Sequence, residues 1–527
     1  MTRPILALAL AATALSACSM EPKYVRSETP VPTSWPVGDA YLRQSEATLP
    51  AFTYRDIFKD RRLQTLIDQA LVNNRDLRVA AANITAARAQ YRIQRADLFP
   101  AVDASGRYTY SGGGNGARST ASSGSTGNTG TGNTGTGNTG TGNTGTGTGV
   151  GTSNGSTGTI TTTGNGNSAF SAQLGVTAFE LDLFGRIRSL SRAALDRYFA
   201  TEAAARATRL TLVGDIADAW LTYAADRSLL KVAQDTATSA QVSVRLTRAR
   251  LEGGVSARTD LRQAEQILET ANADLAEQKT LVAQDVNALQ LLVGAPVDPT
   301  LLPVSIDEAQ ATIATLPAGI DSGVLLRRPD VVQSEYQLRA YNAEIGAARA
   351  ALFPRISLTG LVGFASTALS SLFAGGAFNY SVAPSVSYPI FQAGAGRANV
   401  RYTEAQRDAA LATYEKTIQT AFQETADALA RQGTIADQLR AQTNFQAAAA
   451  DTLQLVNARY QGGIDTFLSS LDAQRSFYTA QRTLITTTLT GASNRVTLYR
   501  VLGGDSTLEA TPQGPQPVTL NGTPRSG

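Results

Sequence analysis

The sequence predicts an internally duplicated α+β membrane protein, which combines long coiled-coil helical hairpins with four β-strands per chain in a transmembrane barrel. Three observations support this fold class. Each half of the 527-residue chain contains a proline-free helical stretch of more than sixty residues. Each stretch follows a pair of alternating strands and ends in a pair of glycines. After the amino terminus, no apolar run is long enough to cross a bilayer as a helix.

The composition excludes most enzyme chemistry and gives no indication of a nucleic-acid partner. The chain has no histidine, which removes the commonest general base and the commonest zinc ligand. Its single cysteine allows neither an intramolecular disulfide nor a thiolate metal cluster. The net charge is only +3, and no stretch concentrates Lys and Arg as nucleic-acid binding would require. We therefore expect no catalytic residues, no cofactor, no metal and no nucleic acid.

The amino terminus has the pattern of a bacterial lipoprotein signal. Arg3 precedes an apolar run at residues 5–17, which has the length of a signal-peptide core and is too short to span a bilayer. Leu-Ser-Ala at residues 15–17 then leads into Cys18, as in a lipobox. The pattern predicts a signal peptide at residues 1–17 and a lipid anchor on Cys18. The alternatives are an ordinary signal peptide or a chance cysteine.

The first structural repeat is expected at residues 60–294, after an anchor and extended segment at residues 18–59. Its first helical pattern ends near residue 98, because the proline at position 100 cannot continue the helix. Residues 102–111 and 170–178 alternate between apolar and polar side chains, which indicates two strands. Between these strands, residues 112–167 repeat Asn-Thr-Gly-Thr-Gly with almost no apolar side chain. We expect a long mobile loop there, with a regular stacked repeat as the alternative.

Each strand pair leads into a rod-like helix. Residues 186–252 and 396–460 contain no proline, and each stretch would form a helix roughly 100 Å long. Apolar side chains recur along one face of each rod, as in a coiled coil. The seams comprise Leu210, Val213, Ala217, Trp220 and Ala224 in the first rod, and Leu411, Ile418, Phe422 and Leu429 in the second. A glycine pair terminates each rod.

The second half of the chain repeats the first. Phe99-Pro100 recurs 254 residues later as Phe353-Pro354, and the glycine pair that ends the first rod recurs 209 residues later. This register predicts a linker at residues 295–324, a second structural repeat at residues 325–503 and a tail at residues 504–527.

The second repeat supplies two further strands, expected at residues 355–364 and 380–390. Pro384 is the one residue of these segments that does not suit a strand, because proline cannot donate a ladder hydrogen bond. Four strands of this length with aromatic residues near several ends fit a membrane β-barrel better than a soluble β-domain, which is the alternative. Single-chain membrane barrels begin at about eight strands. We therefore expect the barrel to be shared between subunits.

Several motifs resemble the signature of TolC-type outer-membrane factors, most closely the lipoprotein branch typified by OprM and NodT. Leu-Leu-Arg-Arg-Pro-Asp-Val stands at residues 325–331, where the Pro and Asp also suit a helix start. Ile-Gly-Ala-Ala-Arg begins a second matching motif at residues 345–358. Phe-Glu-Leu-Asp-Leu-Phe-Gly-Arg at residues 179–186 and Leu-Asp-Ala-Gln-Arg-Ser at residues 471–476 match as well. The resemblance covers residues 22–503.

The resemblance implies a homotrimer in the outer membrane of a Gram-negative bacterium. Three sets of four strands would form a twelve-stranded barrel, which continues into a trimeric helical barrel in the periplasm. The implied function is the exit duct of a tripartite RND-type efflux pump, passively conducting small molecules from periplasm to exterior. The implied partners are a periplasmic adaptor (membrane fusion) protein, an inner-membrane RND transporter and outer-membrane lipid around the Cys18 anchor. The loop at residues 112–167 would be extracellular.

The resemblance also assigns roles to the turns that end the rods. It implies that the adaptor docks at two tips, which comprise Gly253, Gly254, Val255, Gly462, Gly463 and Ile464. These glycines also terminate helices, and that is their simpler role. Asp260 and Asp472 follow the tips, and three chains would repeat each of them as a carboxylate ring at the periplasmic aperture, favouring cations. The alternative is that both are surface charges, with Asp260 facing Arg262 or solvent.

Two other functions remain open. The outer-membrane component of a type I protein-secretion system has the same architecture, although the lipobox and the Arg-Arg-Pro-Asp motif favour small-molecule efflux. A non-channel coiled-coil envelope lipoprotein belongs to a different class. An enzyme is disfavoured because the chain lacks histidine and clustered carboxylates.

Overall fold

A computed structural model describes residues 19–32, 34–36, 38, 40–41, 53–110, 168–315 and 322–517. The expected signal peptide, Cys18 and the loop at residues 112–167 lie outside the described residues. The chain divides into two compact units. Residues 95–187 and 351–393 form a strand unit, while residues 19–94, 188–350 and 394 onward form a helical unit. Each sequence repeat contributes to both units, so the duplication does not divide the chain into two domains.

The strand unit contains one antiparallel sheet. Its strands are β1 (Val102–Tyr110), β2 (Ser168–Glu180), β3 (Arg355–Ser366) and β4 (Phe378–Ser387), in that spatial order. Each of the four segments predicted as strands contains one of these strands, but the predicted end of the last one is wrong. Tyr388 and Ile390 lie beyond β4, because Pro389 stands between them and cannot donate a ladder hydrogen bond.

The alternation in the sequence produces two chemically different faces of this sheet. One row of paired residues across all four strands is apolar and contains Ala104, Leu174, Val362 and Tyr380. The adjacent row on the other face contains Ser105, Gln173, Gly363 and Asn379. Aromatic rings gather near one end of the apolar face, where Tyr108 lies 4.7 Å from Phe170 between ring centroids. The predicted period of two is therefore confirmed except at the end of β2, where an irregularity between Val176 and Phe179 shifts the register and breaks the alternation predicted through Ala178.

The long helices carry the predicted seams. The helices of the chain are α1 (Tyr54–Ile57), α2 (Arg61–Asn73), α3 (Arg75–Ala96), α4 (Arg186–Glu252), α5 (Arg258–Val293), α6 (Ile306–Ala311), α7 (Pro329–Ala350), α8 (Ala395–Gln461) and α9 (Phe467–Val501). The rods α4 and α8 each have 67 residues. Trp220 in α4 and Ile418 in α8 are almost completely buried, and Leu210, Leu411 and Phe422 pack against the buried clusters. None of the described helices has the length and apolarity to cross a membrane.

The helical pattern before β1 is interrupted once. Asn74 separates α2 from α3, since its side-chain Oδ1 accepts a hydrogen bond from the Leu77 amide at 3.1 Å and caps the new helix. Its Nδ2 donates to the Leu292 carbonyl at 2.8 Å. Gly294 follows α5 with φ of +73°, and a Cβ there would lie 2.7 Å from the Asn73 carbonyl oxygen. Only glycine fits this close approach.

The linker and the tail pack against the middle of the rods. Trp220 donates its indole N–H to the Leu301 carbonyl at 3.1 Å, and Ile306 of α6 is buried in the main core. Arg328 donates to the Val501 carbonyl at 3.3 Å and to the Glu424 carboxylate at 2.9 Å. The Arg-Pro-Asp motif thus has a structural role, with proline as the first residue of α7. In the tail, Leu508–Glu509 pairs with Gln516–Pro517.

The described residues between positions 19 and 41 lie along α7 and α8 and form neither helix nor strand. Arg26 forms an ion pair with the buried Glu335 at 2.9 Å, and Arg339 stacks over the Tyr24 ring at 4.6 Å. The Trp35 ring stacks on Phe422 with 4.9 Å between centroids. These contacts fix the extended segment predicted after the lipobox to the helical unit.

Candidate functional site

Both rods end in the same turn. Gly254 has a φ of +74°, and its amide donates to the Leu251 carbonyl at 3.0 Å while the Val255 amide donates to the Arg250 carbonyl at 2.9 Å. These two bonds define a Schellman motif, in which a left-handed glycine satisfies the last helix carbonyls. The backbone turn at the second tip has the same hydrogen bonds.

At the second tip, Gly463 also has a φ of +74°. Its amide donates to the Tyr460 carbonyl at 3.1 Å, and the Ile464 amide donates to the Arg459 carbonyl at 2.9 Å. Gly253 and Gly462 make ordinary helical hydrogen bonds to the residue four positions earlier. Each tip therefore needs one glycine for its backbone conformation, and that glycine is the second of the pair.

The Schellman turn presents one apolar side chain at each tip. Val255 and Ile464 are both 69% exposed. Neither turn needs an apolar side chain at this position to close its hydrogen bonds. The pair is therefore available for contact with another molecule.

The two hairpins, α4–α5 and α8–α9, pack together just behind the tips. A buried cluster takes residues from all four helices, namely Val244, Ala264, Tyr460, Phe467 and Leu471. The Arg250 guanidinium lies 4.7 Å from the centroid of the Tyr460 ring, in a cation–π contact. Side chains of both hairpins are therefore in contact just behind the tips.

The two candidate aperture carboxylates occupy different environments. Asp260 is the third residue of α5, and its Oδ2 accepts hydrogen bonds from the Ser256 hydroxyl at 2.8 Å and the Ala257 amide at 3.3 Å. It therefore caps its own helix. Arg262 pairs with Glu265 at 2.7 Å, so the alternative in which Asp260 faces Arg262 finds no support.

Asp472 is the sixth residue of α9, one helical turn further from its tip than Asp260 is from its own. Its side chain is exposed and has no hydrogen bond or ion pair with any residue that the structure describes. It lines a groove of about 300 Å³ between α4, α5 and α9, together with Arg475 and Asp274. The Tyr478 hydroxyl donates to Asp274 at 2.9 Å, and burial together with this bond raises the pKa of Tyr478 to about 12.

Sequence reasoning missed an ion pair across the second tip. Arg459 donates from Nε and Nη2 to the two carboxylate oxygens of Asp465, at 2.8 and 3.0 Å. These hydrogen bonds lower the pKa of the Asp465 carboxyl. At the first tip, Ser256 occupies the position of Asp465, so only one tip has this clamp. An Arg before the glycine pair with an Asp after it is the signal that could have predicted the clamp.

The chain is similar to known outer-membrane proteins over nearly its whole length. The family model of the outer membrane efflux protein matches residues 66–295 and 322–504. The toluene efflux pump outer membrane protein TtgC of Pseudomonas putida is 42% identical over 507 residues, which cover 96% of each chain. Outer membrane protein OprJ of Pseudomonas aeruginosa is 37% identical over 495 residues, 94% of each chain. The open-state Neisseria gonorrhoeae MtrE outer membrane channel has a TM-score of 0.75 at 32% identity, with 93% of this chain and 98% of that chain covered.

These likenesses first define a class, the outer-membrane channels that join a β-barrel to a helical tunnel. The chain belongs to the outer membrane efflux protein family. It is an exit duct of the outer membrane of Gram-negative bacteria, and as a member of a channel family it is a transport protein and not an enzyme.

Proposed function

We propose that three copies of the chain close a twelve-stranded barrel above a helical tunnel and form the exit duct of a tripartite RND-type pump. The open sheet is the observation that supports the trimer. The order β1-β2-β3-β4 leaves β1 and β4 each without a second neighbouring strand among the described residues. Backbone groups at such an edge have no water to bind inside a membrane. Pairing of β4 with β1 of the next copy satisfies both edges.

The two faces of the sheet support the same arrangement. The apolar face, with its exposed Val102, Tyr380 and Val382, is suited to lipid, and the Ser- and Gln-bearing face to a water-filled lumen. The test is single-channel conductance of the detergent-extracted protein, together with its native mass before and after heating. A heat-sensitive trimer that conducts is expected. A monomer, or an oligomer without conductance, would instead favour the coiled-coil spacer lipoprotein.

We propose that Val255 and Ile464, with the glycine turns behind them, dock a periplasmic adaptor. The support is the identical geometry of the two tips and the equal exposure of their apolar side chains. Val255→Asp combined with Ile464→Asp would place charge on both contacts without disturbing the backbone hydrogen bonds of the turns. Such a variant is expected to lose adaptor capture in a pull-down while keeping the conductance of the parent channel. Val242→Asp on an exposed position of α4 is the matched control, and capture by the double variant would contradict the docking role.

We propose that Asp260 and Asp472 line the aperture with unequal roles. The carboxylate of Asp472 is exposed and unpaired in the part of the chain that the structure describes, whereas that of Asp260 is bonded within its own turn. A ring of three Asp472 carboxylates would favour cations in the aperture. Asp260 would instead stabilise the turn of the first tip, to which it is hydrogen-bonded. Asp472→Asn is therefore expected to reduce cation selectivity in a salt gradient, and Asp260→Asn mainly to loosen the first tip.

The matched control for the aperture is Asp437→Asn, which removes an exposed carboxylate from the same polypeptide away from the tips. The measurement is the reversal potential across a planar bilayer with unequal KCl on the two sides. Equal reversal potentials for Asp472→Asn and Asp437→Asn would show that Asp472 does not line the aperture.

We propose that Cys18 carries the lipid anchor in the outer membrane and that residues 112–167 lie outside the cell. The lipobox before Cys18 supports the anchor, and the position of the loop between β1 and β2 supports its exposure. Cys18→Ala is expected to abolish fatty-acid labelling, and protease added to intact cells is expected to cleave the loop. Labelling that persists in the variant would refute acylation at this cysteine.

The identity of the inner-membrane transporter distinguishes an efflux pump from a type I protein-secretion system. Crosslinking in cells is expected to recover an adaptor together with an RND transporter. Recovery of an ATP-driven transporter in their place would assign the duct to type I protein secretion.

A further inference from the structure

A small cavity in the helical unit is lined by groups that the duct function does not use. Its volume is about 70 Å³, and it lies between α4, the start of α7, the end of α9 and the tail. The polar side chains around it are Arg206, Arg209, Tyr499, Asp505 and Ser506.

Two of these side chains have buried polar atoms without a partner. Nε and Nη2 of Arg206 are both buried and donate to no atom of the residues that the structure describes. The hydroxyl oxygen of Ser506 is buried and unpartnered in the same way. A buried donor left unsatisfied costs about 1–3 kcal/mol, and more when it is charged, so native proteins almost always satisfy such groups.

The carboxylate of Asp505, which lines the cavity, already has hydrogen-bond and ion-pair partners. Asp505 accepts hydrogen bonds from the Tyr499 hydroxyl at 2.5 Å and from the Tyr54 amide at 3.1 Å, and it pairs with Arg209 at 3.3 Å. Asp505 therefore neutralises Arg209 and leaves the charge of Arg206 to be balanced from elsewhere.

The other nearby carboxylate belongs to Glu202, one turn earlier in α4, and it accepts a short hydrogen bond from the Tyr198 hydroxyl. Burial lowers the pKa of the Arg206 guanidinium, and the charge of Glu202 opposes this effect only in part. A guanidinium nevertheless stays ionised at every physiological pH. A guanidinium with two unsatisfied N–H donors and a buried hydroxyl that line the same small cavity are suited to an anion more than to neutral water.

We propose that this cavity binds a small monovalent anion, chloride in the periplasm, between the Arg206 guanidinium and the Ser506 hydroxyl. The volume excludes large organic anions. The bound ion would satisfy three buried donors at once, two from Arg206 and one from Ser506. Because Arg206 lies on α4 and Ser506 in the tail, the ion would also fasten the tail to the first rod.

Bromide replaces chloride in such sites and can be located by its anomalous scattering. Crystals of the full-length protein, grown without halide and soaked in sodium bromide, are expected to show an anomalous peak within hydrogen-bond distance of Arg206 and Ser506. Arg206→Gln is expected to abolish the peak, and Ser506→Ala to lower its occupancy. Arg245→Gln, which removes an exposed guanidinium from the same helix, should leave the peak unchanged. Water without anomalous signal, or a carboxylate of another copy of the chain at the site, would overturn the proposal.

A second measurement guards against binding at crystal concentration only. The Tm of the detergent-solubilised protein is expected to be higher in sodium chloride than in sodium gluconate at equal ionic strength, because an ion bound only by the folded state stabilises that state. Arg206→Gln is expected to lose this difference, and Arg245→Gln to keep it. If Arg206→Gln does not fold, Ser506→Ala takes its place and should show a reduced difference. The same chloride dependence in wild type and Ser506→Ala, or none in wild type, would refute the site.

Discussion

Replacing Tyr460 with alanine should separate the two helical tips. Tyr460 is only 9% exposed and lies between the hairpins, 5.5 Å from Phe467 between ring centroids and 4.7 Å from the Arg250 guanidinium. Truncating a buried aromatic residue in a core costs about 3–5 kcal/mol. The tip lies at the end of its hairpin and can relax, so we expect about 2–3 kcal/mol, of which the cation–π contact supplies about 0.5–1 kcal/mol.

The loss should appear as local opening and not as global unfolding, because the main core around Trp220 belongs to a different cluster. At about 1.4 kcal/mol per factor of ten, the expected increase in opening is about 30- to 150-fold. Hydrogen exchange of peptides spanning residues 244–268 and 457–475 measures it directly. Tyr402→Ala changes an exposed tyrosine of the same helix and should leave exchange at the tips unaltered.

Both hairpins must respond for the reasoning to hold. Faster exchange only at residues 457–475, or no change at either tip, would show that Tyr460 does not couple them. A double-mutant cycle with Arg250→Gln should give a coupling of about 0.5–1 kcal/mol, and a coupling near zero would remove the cation–π contribution.

Three further predictions concern a backbone position, a carboxyl pair and the loop. Gly463→Ala should destabilise the second tip by about 1 kcal/mol because of its left-handed φ, whereas Gly462→Ala, at a φ of −74°, should not; local hydrogen exchange distinguishes them. Burial, with the neighbouring Asp226 carboxyl, raises the pKa of Asp285 to about 7. The folded state then holds a proton that the unfolded state releases, so the free energy of unfolding should fall as pH rises from the ordinary aspartate range to about 7. Asp285→Asn should flatten this dependence of Tm on pH, and an unchanged dependence would refute the role of Asp285. Deleting residues 119–164 should leave the yield of assembled trimer on native gels unchanged, and loss of trimer would contradict a loop without a structural role.

The local elements were predictable because their signals lie within a few residues of one another. The alternation at residues 102–111 and the seam around Trp220 depend only on a period of two or of about three and a half, and both were confirmed in the structure. The left-handed turns were predictable for the same reason, since a glycine pair after a long helix leaves few other conformations. Where the prediction of an element boundary failed, a single residue ended or restarted the element, and the helical or strand period does not show such an effect. Pro389 ended β4 early, and Asn74 capped a new helix within a continuous helical pattern.

The sequence by itself determined the duplication, the rods and the strands, because repeated spacing and helical or strand periods are properties of neighbouring residues. The class of protein followed from the resemblance of its motifs to a known family. Only the tertiary structure decided which distant side chains meet. It joined Arg250 to Tyr460 across two hairpins and brought Arg206 to one cavity with Ser506 from the far end of the chain. These partners are separated by up to 300 residues, and their contact depends on how the helices pack side by side. The helical and strand periods of the sequence contain no information about that packing, so these contacts can be identified only in the folded structure.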